Sequence, residues 1–271
     1  MSLTHRFVQV RDLRLHLLDF GGEGPRLPVL LCLHGVTGHA WTWAGVAEAL
    51  EGRARVVALD QRGHGDSQWS AAGAYGTTEL AEDLFGVLEA EALGPVNLVG
   101  LSWGGLVGLR LAAAFPHLVR SLTVVDVAPS TSAPPGQVPP RPYEFDSHAA
   151  VREWERQANP HAPDAMVEAL AAFGTRPGPR GQLVRKHDPC FQEQWPFRAE
   201  DHWDAWRVLA VPTLLVRAAG SPVLDEASFD EMSAQVVGLR RAVVADSGHL
   251  VPVEQPEAFA ALVEEFVAAA G

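Results

Sequence analysis

Lysine is almost absent from this chain. Lys186 is the only one, and arginine supplies nearly all of the 21 basic residues. Acidic residues outnumber them at 33, for a net charge of -12. That balance argues against nucleic acid or an anionic membrane as a partner. Cysteine is equally scarce. Cys32 sits inside an apolar run and Cys190 lies far away in a different kind of segment, so no disulfide framework is expected, and a reducing cytoplasm is the expected setting. No apolar core follows Met1 to Arg6 to make a signal peptide, and no run of about 18 apolar residues exists to span a bilayer. Internal repeats are missing too. What remains is 271 residues, 47% apolar and 20% charged, enough for one α/β domain with an insertion.

The chain is organised around Gly100-Leu101-Ser102-Trp103-Gly104-Gly105. Val96 to Val99 before it is short and apolar, the pattern of a buried strand. Leu106 to Phe115 after it is apolar except for Arg110 and closes at Pro116, the pattern of a buried helix. A serine is thus mounted on a sharp strand-to-helix turn, with glycines that let strand and helix approach closely and helix N–H groups beside the hydroxyl.

Further apolar runs predict strands at Val29 to Leu33, Val56 to Asp60, Leu122 to Val125, Val211 to Val216 and Ala242 to Ala245. Phe7 to Val10 and Leu13 to Phe20 predict an N-terminal hairpin, ended by the break Gly21-Gly22-Glu23-Gly24-Pro25. Helical spacing appears around Trp41 to Leu50, from Thr77 to Gly94, and from Glu257 to Ala270. Strands alternating with helices predict a mainly parallel central sheet with helices on both faces. After Asp126 the pattern changes. Six prolines fall between Pro129 and Pro142, and Tyr143 to Arg207 shows no buried strand but helical stretches such as Asp164 to Phe173, with Trp and Phe throughout. The expected organisation is a core of residues 1–129 and 208–271 with a helical cap of 130–207.

Ligands of open parallel sheets bind beyond the carboxyl ends of the strands. Here those ends carry His34-Gly35, Asp60, Ser102, Asp126, the loop after Val216, and Ser247-Gly248-His249. Together with Asp60-Gln61-Arg62-Gly63-His64-Gly65-Asp66-Ser67, these motifs make the chain resemble the α/β-hydrolase fold superfamily across its whole core. The cap carries no matching motif. The chain order serine, acid, histidine agrees with that resemblance.

In this reading Ser102 is the nucleophile and His249 the base that takes its proton. The N–H of Trp103, next to the nucleophile, binds the oxyanion, and the resemblance implies the N–H of Val36 as its second donor. The commonest arrangement in the family puts the triad acid after the next core strand, at about Gly220, which has no side chain. Asp126, at the end of the strand beside the elbow strand, is therefore preferred, with Asp225 as the fallback. A helix cap for Asp225, and a structural role at the Pro129 turn for Asp126, are the plainer alternatives.

His34 and His64 are expected to order their loops. His5, His16, His117, His148, His161, His187 and His202 show no ligand spacing and are read as ordinary polar residues, so neither metal nor cofactor is expected. Arg176, Arg180, Arg185 and Lys186 read as a solvated loop, with an anchor for an anionic substrate as the alternative. The expected activity is hydrolysis of a small carboxylic ester, lactone or amide. Cleavage of carbon–carbon bonds in ring-cleavage products and cofactor-free haloperoxidase chemistry are alternatives at the same site, and a non-catalytic ligand receptor is the alternative from another class. The expected partner is a small-molecule substrate, with oligomeric state left open.

Overall fold

A computed structural model describes residues 3–22, 24, 27–131 and 133–270. Glu23 and Pro25 of the glycine-rich break lie outside the described residues. Strands β1 (Thr4–Val10) and β2 (Leu13–Asp19) form the N-terminal hairpin. β3 (Val29–Leu33), α1 (Ala44–Ala49), β4 (Arg55–Asp60), α2 (Thr77–Ala90), β5 (Val96–Leu101), α3 (Trp103–Ala114) and β6 (Val119–Val125) follow. After an insertion, the core resumes with two more strands.

Periodicity explains why the sheet is covered on both sides. Successive strand side chains point to opposite faces. On β3, Leu31 and Leu33 join a cluster with Leu84 and Val87 of α2 and Val107 and Leu111 of α3. Leu30 and Cys32 join the opposite cluster, with Val46 of α1 and residues of the C-terminal helix. A central strand such as β3 must be apolar on both faces, which is why it reads as an unbroken apolar run.

The insertion contains β7 (Glu144–Phe145), α4 (His148–Ala158), α5 (Asp164–Phe173), β8 (Thr175–Pro177), β9 (Leu183–Arg185) and α6 (Trp203–Arg207). β7, β9 and β8 make a small antiparallel sheet that the helical reading of this stretch missed. Strands of two or three residues are too short to show a period. The insertion touches the core through stacked rings: Phe173 on Trp41 at 3.5 Å between centroids, and Phe191 on His64 at 4.6 Å.

β10 (Thr213–Ala218), α7 (Glu226–Gln235), β11 (Arg240–Val244), α8 (Val251–Glu254) and α9 (Pro256–Ala270) complete the chain. The strand order is β1-β2-β4-β3-β5-β6-β10-β11, parallel from β4 onward. The carboxyl ends of β3 to β6, β10 and β11 therefore lie along one edge. No helix among the described residues is long and apolar enough to cross a membrane.

Candidate active site

Ser102 follows β5 directly and caps α3 with φ 53° and ψ -125°. A β-carbon disfavours this left-handed region, and such a residue costs about 1–3 kcal/mol. Close packing imposes it. A Cβ on Gly104 would overlap the Leu33 carbonyl, and one on Gly100 would overlap the backbone of Gly104. The elbow is also pinned sideways, because the Ser102 N–H donates to the Val125 carbonyl at 2.8 Å. Ser102 is 5% exposed.

Asp126 stands one position beyond β6, the strand beside the elbow. It too has positive φ, at 52°. Its N–H donates to the Val216 carbonyl, and its Oδ1 accepts the N–H of Ala218 at 3.0 Å. Its Oδ2 lies 2.8 Å from Nδ1 of His249. The carboxylate is fully buried, so both oxygens are occupied and aimed. Among the described residues it makes no hydrogen bond to the Pro129 turn. Asp225 instead accepts the Ser228 N–H at the start of α7, the helix-cap role, and helix N–H donors hold its pKa below the ordinary value.

His249 lies on the loop between β11 and α8. Glu254 clamps this loop: its Oε2 accepts the Gly248 N–H at 2.5 Å. The Ser247 carbonyl accepts the Gly220 N–H at 2.9 Å, tying the loop to β10. Sequence reasoning missed Glu254, whose role depends on a contact six residues back along an irregular loop. The structure thus joins Asp126 to His249 and sets Ser102 on the neighbouring strand. Among the described residues no hydrogen bond links Ser102 to His249.

Gly35 closes the other side of the serine. A Cβ there would come within 3.0 Å of the Ser102 Cβ and 3.6 Å of its Oγ. Val36 follows it. Among the described residues, the N–H groups of Val36 and Trp103 have no intramolecular acceptor. The Trp103 ring is fixed by its Nε1–H bond to Thr77 Oγ1, 2.8 Å, and by Phe191 and Phe197.

His34 and His64 order the surrounding loops. His34 Nε2 accepts the Gln61 N–H while Nδ1 faces the Gly35 carbonyl at 2.7 Å. His64 Nε2 accepts the Thr37 N–H while Nδ1 faces the Arg62 carbonyl. Each ring is held neutral in one tautomer, and burial keeps both pKa values low.

Three histidines read as ordinary polar residues are in fact buried: His16, His187 and His202. His16 Nδ1 lies 2.7 Å from Asp60 Oδ2. Burial alone would raise the Asp60 pKa, but the His16 hydrogen bond and charge, together with other donors, hold it low. His16, Asp60 and Asp66 gather ligand atoms within 4.8 Å, yet the Asp60 oxygens already accept the Ala40 and Asp66 N–H groups as well. The arginine-rich stretch is not a solvated loop throughout. Arg185 is buried against Glu155 at 2.5 Å, and Lys186 pairs with Asp66 at 2.8 Å.

Residues 28–256 match the family model described as alpha/beta hydrolase fold. The chain is 32% identical over 257 residues to the esterase Rv0045c of Mycobacterium tuberculosis, covering 91% of this chain and 84% of that protein. It is 27% identical over 272 residues to the 2-hydroxy-6-oxo-2,4-heptadienoate hydrolase of Pseudomonas putida, covering 97% and 96%. The crystal structure of E-2-(acetamidomethylene)succinate hydrolase shares the fold with a TM-score of 0.86 at 24% identity, covering 98% of this chain and 100% of that one. The chain therefore belongs to the alpha/beta hydrolase fold family and is a hydrolase.

Proposed function

We propose that the chain cleaves a small carboxylic ester, lactone or amide through an acyl-enzyme, with Ser102, His249 and Asp126 as its triad. The observation that carries this reading is the 2.8 Å contact of Asp126 with His249 beside the elbow serine. Asp126 accepts Nδ1–H and so leaves Nε2 of His249 as the basic nitrogen. Nε2 takes the Ser102 proton as Oγ attacks the carbonyl carbon. The N–H groups of Val36 and Trp103 receive the oxyanion. His249 then returns the proton to the leaving oxygen or nitrogen, and water repeats the sequence to free the acid. Hydrogen bonds from serine to base are often long before substrate arrives, so the unmade Ser102–His249 bond agrees with this role.

Residues 130–207 act as a cap in this reading. Its support is their packing on the loops after β3 and β4 and on Trp103. Closure there shapes the pocket and excludes water. Two free cysteines, Cys32 buried in β3 and Cys190, suit a cytoplasmic setting.

Carbon–carbon bond cleavage is the second reading, favoured by the likeness to the heptadienoate hydrolase. A panel of p-nitrophenyl esters, lactones, amides and ring-cleavage diketones separates the two. Turnover of esters with none of the diketones supports the first reading, and the reverse replaces it with the second.

A further inference from the structure

Buried arginines in this protein hold carboxylates. Among the described residues two arginines are buried, Arg62, which pairs with Asp83, and Arg185, which pairs with Glu155. Arg141 breaks the rule. It sits in the proline run Pro139-Pro140-Arg141-Pro142 and is partly buried, yet no carboxylate pairs with it among the described residues. Its contacts are the Thr37 hydroxyl, which accepts from Nη1, and the face of Trp195 at 5.1 Å. Its Nε is buried with no hydrogen-bond partner. The nearby acid, Glu155, is already taken by Arg185. Trp195 carries a second cation, Arg198, at 4.4 Å. A guanidinium with a buried, unpaired Nε and no counter-ion is costly unless something pairs with it.

Its position says what that would be. Thr37 is two residues beyond Gly35, whose backbone borders Ser102. Successive Cα atoms are about 3.8 Å apart, so the Arg141 head is held about one side chain from the oxyanion loop. His187 lies in the same cluster, and burial together with Arg185 and Arg141 pushes it down to about 3, so it stays neutral. Burial and Arg185 likewise push Arg141 down to about 10, a strain that an arriving anion relieves.

We propose that Arg141 is a carboxylate-recognising group of the substrate pocket, and that the substrate carries a carboxylate a few bonds from the carbonyl attacked by Ser102. This rests on the Ser102 reading for the identity of the reacting bond, but not for the anion site itself. The guanidinium offers a planar fork that suits a carboxylate, and Pro140 and Pro142 fix the backbone on either side. In the arginine-rich stretch 176–186, Arg180, Arg185 and Lys186 already pair with Glu144, Glu155 and Asp66, and Arg176 lies exposed over the Trp69 ring.

Two measurements test it. The first is calorimetric binding of glutarate and of the neutral ester methyl butyrate to Ser102→Ala protein, with and without Arg141→Gln or Arg141→Lys. Glutarate should bind in preference to methyl butyrate. Arg141→Gln should weaken glutarate by about tenfold or more, the size of a lost charge-assisted hydrogen bond, and Arg141→Lys by less. The second is the ratio of kcat/KM for p-nitrophenyl hemiglutarate over p-nitrophenyl butyrate, which should favour the hemiglutarate and fall by a similar factor in Arg141→Gln. Should Arg141→Gln prove poorly folded, Arg141→Lys keeps the charge but loses the fork, and a reduced glutarate affinity at unchanged melting temperature supports the proposal. Absence of glutarate binding, or equal affinity in all three proteins, overturns it. Glutarate binding through Arg141 in a protein that cleaves no ester keeps the anion site and refutes the ester-cleaving role of Ser102.

Discussion

Asp126 and His249 form one unit: a fully buried carboxylate, 2.8 Å from the imidazole, fixes which ring nitrogen is free. Asp126→Asn should keep the fold but favour the wrong tautomer, and lower kcat by up to about 10⁴-fold. Asp225→Asn loses the charge but keeps an oxygen that can cap α7, and should leave kcat near wild type with little shift in unfolding midpoint. Steady-state kinetics on both variants decides the acid. A crippled Asp225→Asn beside a normal Asp126→Asn would reverse the assignment. His249→Ala should fold and lose most of kcat. Near-wild-type turnover would remove it from the mechanism.

The elements bring these residues together, and their packing makes further predictions. Gly35 is tolerated only without a side chain. Gly35→Ala would put a methyl 3.0 Å from the Ser102 Cβ and should cut kcat/KM by about 10²-fold in a folded protein. Phe191 is fully buried between the insertion and the core, touching His64, Tyr75 and Trp103. Phe191→Ala should cost about 3–5 kcal/mol, read from urea unfolding. The core was legible in the sequence because parallel strands covered on both faces must be unbroken apolar runs. Asp126 could be singled out because Gly220, where the family resemblance implies the acid, has no side chain to offer. The insertion was less legible. Its strands are too short to show a period, the Arg185–Glu155 pair spans 30 residues of sequence, and Arg141 lies among prolines that hide any pattern. The buried histidines were misread for the same reason, since His16 meets Asp60 across 44 residues.

At the scale of the whole molecule, the buried histidines tie stability to pH. Burial pushes His39 down to about 4 and His187 to about 3, from an ordinary 6.5, and His64 well below it. Between those values and about 6.5 the unfolded chain binds protons that the folded chain does not. Stability should therefore decline as pH falls below about 6.5, by about 1 kcal/mol for each of His39 and His187 at pH 5.5. Asp60, held below its ordinary 3.8, stabilises the fold above that pH, and its contribution is lost as pH falls further. Urea midpoints measured from pH 8 to 4 should fall steadily below 6.5, and His187→Gln should flatten the slope. A midpoint that is constant or rises between pH 6.5 and 5 would contradict this. The central claim, that the fold activates Ser102, is tested most directly by intact-mass spectrometry after treatment with a fluorophosphonate. The folded wild-type protein should gain one adduct rapidly, located on Ser102, and Ser102→Ala should gain none. Folded wild-type protein that stays unlabelled, or labelling that persists in Ser102→Ala, would contradict it.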